Sequence, residues 1–210
     1  MKLFDISIPI SNKTLVYKDD VPFEIQKKIT KIDNGSITTS NISMSSHTGT
    51  HIDAPHHFFN DGITIDEINP ELFIGSTYVA EILDHDEQIG EKQIENITIP
   101  NGISRILFKT NNSTLWKKHE VQPNFTSLSL YAAEWLINNN IQLVGIDYLS
   151  VDTFTTSSFP IHHKLLKNNV IILEGLDLSR ISQGIYTLIC FPLNIISGDG
   201  SPARAILIEE

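Results

Sequence analysis

The stretch HTGTHIDAPHHF, residues 47–58, places His47, His51, His56 and His57 within eleven residues and sets Asp53 among them. Five groups able to hold a metal or move a proton thus share one short segment. Gly49 and Pro55 argue against an ordinary helix. A helix would put His47 and His51 on one face but turn Asp53 away. The helical zinc-protease pattern needs Glu after its first His, and position 48 is Thr. In extended chain His47, Gly49, His51 and Asp53 share a face, yet a straight strand sets the two histidines about 13 Å apart, too far for one ion. The pattern therefore predicts a bend near Gly49-Thr50, where glycine removes the steric objection, and a kinked strand or loop that turns its ligands inward. His56 is the weak member of the group: it neighbours His57 and must point elsewhere, so a solvated or supporting position is expected.

Around this segment, stretches rich in Ile, Val, Thr and aromatic residues predict strands at 3–8, 23–31, 36–45, 76–83, 104–109, 142–147, 170–174, 185–191 and 203–208. A helix is expected over 127–139, capped by Ser127 or Ser129, and a second from Pro160 to Asn168-Asn169. Strands outnumber helices and the helices fall between later strands, which predicts a mixed, strand-rich α/β or α+β single domain spanning residues 1–210. The second helix carries His162 and His163. After it, the apolar run VIIL ends in Glu174, a carboxylate that burial obliges to be paired, hydrogen-bonded or metal-bound. His85 and His119 lie among polar residues and are expected at the surface.

Composition limits the alternatives. The 210 residues carry 15 Lys plus Arg against 25 Asp plus Glu, a formal charge of -10, which disfavours nucleic acid and anionic membranes as partners. One cysteine, Cys190, in the apolar run TLICF, excludes an internal disulfide framework or a thiolate cluster and reads as a core residue. No apolar run suggests a membrane span, and MKLFDISIPISN does not resemble a signal peptide, so a cytoplasmic protein is expected. Neither a G-x-S-x-G elbow nor a phosphate-binding glycine loop occurs; GDGSP at 198–202 lacks the elbow's surroundings.

The segment 47–58 resembles the H-x-G-T-H-x-D-x-P-x-H-F signature of the metal-dependent cyclase family, which includes the bacterial kynurenine formamidases (arylformamidases). FDISIPISNKTLVY, GIDYLSVD, FPIHHKLLKNNVIILEGLDLS and FPLNIISGDGSPARAIL resemble further family segments in the expected order, so the resemblance covers nearly the whole chain. It implies the swivelling β/β/α fold and two adjacent divalent ions, zinc or in some relatives manganese. His47 and His51 would bind the first ion, Asp53 would bridge both, His162 would bind the second, and Glu174 would complete both sites. His162 is preferred to His163 because it follows Phe-Pro-hydrophobic. His57 would be the acid–base residue, acting on a water activated by the ions, and Tyr17 would stack on the substrate ring.

The resemblance further implies a homodimer or higher homo-oligomer and a small aromatic amide as substrate, N-formyl-L-kynurenine of tryptophan catabolism foremost. Kynurenine formamidases carry Trp-Pro-Gly-Asp where this chain has Tyr17-Lys18-Asp19-Asp20, which changes the pocket's shape and stiffness. Hydrolysis of a lactone, an isatin-like cyclic amide or another small ester is the alternative with the same site. A non-catalytic metal- or metabolite-binding protein is the alternative from another class, and an uncoordinated His57 beside the ions tells against it.

Overall fold

The computed structural model describes residues 1–84 and 86–209, which leaves His85 outside. Among the described residues, thirteen strands and three α-helices follow one another, with short 3-10 turns between them. The strands are β1 (Lys2–Asp5), β2 (Glu24–Ile32), β3 (Gly35–Ser43), β4 (His51–Asp53), β5 (Ile74–Glu81), β6 (Gln88–Ile89), β7 (Arg105–Lys109), β8 (Ser127–Leu128), β9 (Leu143–Ile146), β10 (Ile171–Glu174), β11 (Gly184–Ile189), β12 (Gly200–Pro202) and β13 (Ile206–Glu209). The helices are α1 (Glu91–Ile94), α2 (Leu130–Asn138) and α3 (Pro160–Lys167).

Nine strands form one curled, mixed sheet in the order β1-β13-β11-β5-β7-β9-β10-β4-β12. The central run β5-β7-β9-β10 is parallel, and the flanks on both sides are antiparallel. Its strands alternate between two cores, as period-two side chains must. Leu107, Leu143, Ile171 and Leu173 face one core with Ile52, Leu188 and Leu207. Ile106, Phe108, Val144 and Ile172 face the other, where Ala132, Leu136, Leu165 and Leu166 of α2 and α3 cover them. This is the mixed, strand-rich α/β architecture expected from the sequence.

All nine predicted strands are present, most with ends displaced by one to three residues. Helix α2 begins at Leu130 because Ser129, rather than Ser127, caps it, its side chain accepting from the Ala132 N–H. Ser127 belongs instead to the two-residue strand β8. Strand β4 is the inward-turned part of the kinked strand or loop expected around Gly49-Thr50, whereas the short strand β12 was not predicted. Its three residues carry too little alternation to register as a strand, and tertiary pairing makes it. His119 is exposed as expected, and buried Cys190 has its thiol pKa pushed up to about 12 by burial. Among the described residues, no helix is long and apolar enough to cross a membrane.

Two positions fix the site's frame. Gly49 has φ +70° and ends the turn that precedes β4, the bend that the sequence pattern required. Gly175, φ +73°, follows β10 and packs on the Gly49 backbone, where an added Cβ would overlap the Gly49 carbonyl oxygen and lie 2.7 Å from its carbon. Both the steric clash and the left-handed backbone oppose any side chain there. Gly175→Ala is expected to destabilise the protein by about 3 kcal/mol, read as a lower urea midpoint at unchanged slope.

Candidate metal centre

The bend at Gly49 delivers His47 from a turn and His51 from the start of β4, while Glu174 comes from the end of β10. The antiparallel register pairs His51 directly with Glu174 and Asp53 with Ile172. His162 enters from the first turn of α3. The structure thus brings His47, His51, Asp53, His162 and Glu174 together, all buried except His47, which is nearly so.

Each histidine is tethered by one ring nitrogen and aims the other at the centre. His51 Nδ1 is 2.9 Å from the Gly49 carbonyl oxygen, and its Nε2 lies 3.4 Å from Asp53 Oδ1 and 3.5 Å from Glu174 Oε2. His162 Nδ1 is 2.7 Å from Asp152 Oδ2, and its Nε2 lies 3.2 Å from Glu174 Oε1 and 3.4 Å from Asp53 Oδ2. His47 Nε2 is 2.8 Å from Asp199 Oδ2 and its Nδ1 2.8 Å from Asp53 Oδ1. Such outer partners orient metal-binding imidazoles and set which nitrogen is free. The Val151 N–H donates to Glu174 Oε1 at 2.7 Å and holds that carboxylate in place.

Two groups within this cluster could each hold an ion: His47 with His51 and Asp53, and Asp53 with His162 and Glu174. Asp53 belongs to both. A third group, His47 with His57 and Asp199, lies nearer the solvent. Asp53 Oδ2 is buried without a hydrogen-bond partner, an arrangement costly for a carboxylate unless a cation faces it. Imidazole and carboxylate donors without thiolate fit zinc or manganese.

The electrostatics agree. Burial opposes charge on His47, yet Asp53 and Asp199 overcome it and raise its pKa to about 9. Burial likewise opposes charge on His51, while Asp53 and Glu174 lift it to about 10. Burial would raise the Asp53 pKa, but His47, His162 and His51 hold it well below the usual carboxylate range. The carboxylates therefore demand positive charge, from protons on the imidazoles or from metal ions that displace them.

A cleft of about 280 Å³ opens over the cluster. Tyr17, Phe58 and Phe159 supply its aromatic lining, and Lys18 and Asp20 also line it. The Tyr17 ring meets Phe154 edge-on at 5.3 Å and lies 6.4 Å from Phe159. His57 lies over His47, ring centroids 4.0 Å apart, with Nδ1 3.6 Å from Asp199 Oδ2. No described residue hydrogen-bonds its Nε2. His56 does not line the cleft, and His163 is exposed, its ring against Phe58 and Phe59.

Asp152 and Asp199 are the partners that sequence reasoning missed. Asp152 also accepts the N–H groups of Ile161 and His162 and so caps α3 from outside, because the residue at the helix start, Phe159, has no side-chain acceptor. Neither acid lies near a histidine in the chain, and only their spatial pairing marks them. Phe159 sits in the left-handed region at φ 46°, backbone strain stored beside the cleft.

The family model described as "Putative cyclase" matches residues 4–153. The kynurenine formamidase of Bacillus anthracis is 35% identical over 206 residues, covering 98% of this chain and 97% of its own. Two solved structures superpose over nearly their full lengths. A "predicted metal-dependent hydrolase" from Bacillus stearothermophilus has 31% identity and a TM-score of 0.82, covering 98% of this chain and 97% of that one. Isatin hydrolase A from Labrenzia aggregata, bound to benzyl benzoate, has 25% identity and a TM-score of 0.85, covering 100% and 94%.

Proposed function

This chain belongs to the cyclase family, and from that premise we propose that it is a metal-dependent amide hydrolase that cleaves N-formyl-L-kynurenine to L-kynurenine and formate. The observation that carries the reading is the shared carboxylate of Asp53, set between two ligand groups at the floor of an aromatic cleft. His47, His51 and Asp53 would hold one divalent ion, and Asp53, His162 and Glu174 a second, zinc fitting these donors best. Such ions supply a water of lowered pKa and polarise a carbonyl oxygen.

The chain's own residues do the rest. Tyr17, Phe58 and Phe159 enclose the aniline ring and exclude water from one side of the cleft. His57 Nε2 takes the proton of the attacking water and delivers it to the departing aniline nitrogen as the C–N bond breaks. Asp199, close to His57 Nδ1, stabilises the charged imidazole between those two transfers. Lys18 and Asp20 line the same cleft with opposite charges, which match the carboxylate and ammonium groups of an amino-acid substrate.

The aromatic cleft also suits a cyclic amide, the reading favoured by the likeness to isatin hydrolase. The deciding experiment is turnover of N-formyl-L-kynurenine by zinc- or manganese-reconstituted protein, followed by absorbance beside a chelated control and an isatin assay. Fast chelator-sensitive release of kynurenine is expected. Turnover of isatin alone by ion-loaded protein would overturn the substrate and leave the site standing. Lys18→Met is expected to raise KM for N-formyl-L-kynurenine about tenfold at nearly unchanged kcat, the loss of one exposed charge contact. The same variant should leave any hydrolysis of neutral isatin unaltered.

A further inference from the structure

Asp147 follows β9, outside the ligand cluster, and is wholly buried. Its Oδ1 accepts the Thr110 hydroxyl at 2.8 Å. Its Oδ2 accepts the Thr110 N–H at 2.9 Å, the Ser113 N–H at 3.1 Å and the Ser113 hydroxyl at 2.7 Å. Both donor residues belong to one element, the 3-10 turn Asn111–Lys117, which Thr110 caps. Among the described residues no cation pairs with this carboxylate, a costly arrangement for a buried charge. Burial outweighs the four donors and pushes the Asp147 pKa up to about 6.

The turn that Asp147 grips stands behind the cleft. Ser113 Oγ accepts the Leu178 N–H at 3.0 Å, and Trp116 Nε1 donates to the Leu176 carbonyl oxygen at 2.8 Å, which ties the turn to the segment after Glu174. The Trp116 ring lies 4.8 Å from that of Tyr148, the next residue after Asp147. Tyr17 and Trp116 pack against one apolar cluster built on Tyr148 and Leu149, and Tyr17 and Leu149 line the cleft. We infer that Asp147 is a positioning residue: its ionised carboxylate pins the 111–117 turn, and Trp116 with Tyr148 then fixes the wall on which Tyr17 packs. The inference rests on the reading that Tyr17 encloses the substrate ring.

Protonation of Asp147 would release the pin at one point. Oδ2 already meets three donors, so the added proton goes to Oδ1 and faces Thr110 Oγ1. That hydroxyl must turn round to accept it, although it already accepts the Asn112 N–H at 3.0 Å. A neutral carboxyl also accepts hydrogen bonds more weakly than a carboxylate. The charged and titratable groups on the surrounding elements are engaged elsewhere. Lys109 of β7 pairs with Glu81, and Arg105 donates to the carbonyls of Glu71 and Leu72. Tyr148 accepts the Gln122 N–H, Glu174 the Val151 N–H and Asp177 the Ser179 N–H, while Lys117 is exposed.

The test uses metal-loaded protein carrying Trp135→Phe, which leaves Trp116 as the one indole. Its fluorescence is expected to change in a single step with a midpoint of about 6. Asp147→Asn, which like the protonated acid turns a donor toward Thr110, should abolish the step and show the low-pH emission throughout. Ser113→Ala removes one donor to the ionised carboxylate and should move the midpoint up by about one pH unit. At about pH 8, Asp147→Asn should raise KM for N-formyl-L-kynurenine about tenfold, with kcat within about twofold and ion content unchanged. Emission that does not titrate, or a midpoint indifferent to Ser113→Ala, overturns the proposal. So does an Asp147→Asn protein that is merely less stable, with wild-type emission and KM. If Asp147→Asn does not fold, the titrations of Trp135→Phe protein with and without Ser113→Ala still decide. The emission step needs no substrate, so its presence without turnover of N-formyl-L-kynurenine would sink the substrate and leave the pin standing.

Discussion

Asp53→Asn is expected to lower kcat/KM on the order of 10⁴-fold, about 5 kcal/mol of transition-state stabilisation, and to leave the purified protein nearly free of metal. Asp53 presents Oδ1 to His47 and His51 and Oδ2 to His162, so it belongs to both inner ligand groups. Asparagine keeps the shape but would offer one weakly ligating oxygen and turn an N–H₂ toward the other ligand group. It also removes the charge that overcomes burial to raise the His47 pKa and that helps to raise that of His51. With that charge gone, the imidazoles need fewer protons in the metal-free state, so the variant should remain folded by circular dichroism. Elemental analysis beside the activity assay checks the result. Retention of two ions with full activity would show that the shared carboxylate is not what holds them.

His57→Ala is expected to lower kcat by 10² to 10⁴ with metal content unchanged. The ring of His57 sits above His47 without entering either inner group, and its Nε2 has no described protein partner to share a proton with. If His57 carries the proton as proposed, its loss would slow both formation of the tetrahedral intermediate and departure of the amine, while the buried cluster would stay as it is. Added imidazole should restore part of the rate by entering the space left behind. The third group, His47 with His57 and Asp199, supplies the counter-reading. If that group holds an ion, the variant will lose metal in step with activity, and His57 is then a ligand.

How much of this was legible in the sequence differs by element. The bend at Gly49 could be argued from the incompatibility of a straight strand with a shared ion, and it is there with φ +70°. The long strands and both longer helices announced themselves through residue type and caps. Asp152 and Asp199 did not, because a carboxylate that orients a histidine from a distant loop leaves no local pattern. Strand β12 was likewise invisible: its three residues become a strand only when β4 is beside them. Strands β2 and β3 fall where strands are expected at 23–31 and 36–45, and sequence alone could not show that, among the described residues, they pair only with each other.

The pairing of His51 with Glu174 joins residues more than a hundred positions apart, across the closed contact of Gly49 with Gly175. Contacts of such long range form late, after the loop between them has been closed at an entropic cost. The cluster thus draws on distant parts of the chain that the sheet, with β10 laid against β9, holds side by side. An ion that binds this assembled set and not the open chain would add its binding free energy to the stability of the whole sheet. Metal supply in the cell would then govern how long the folded enzyme survives as well as how fast it works.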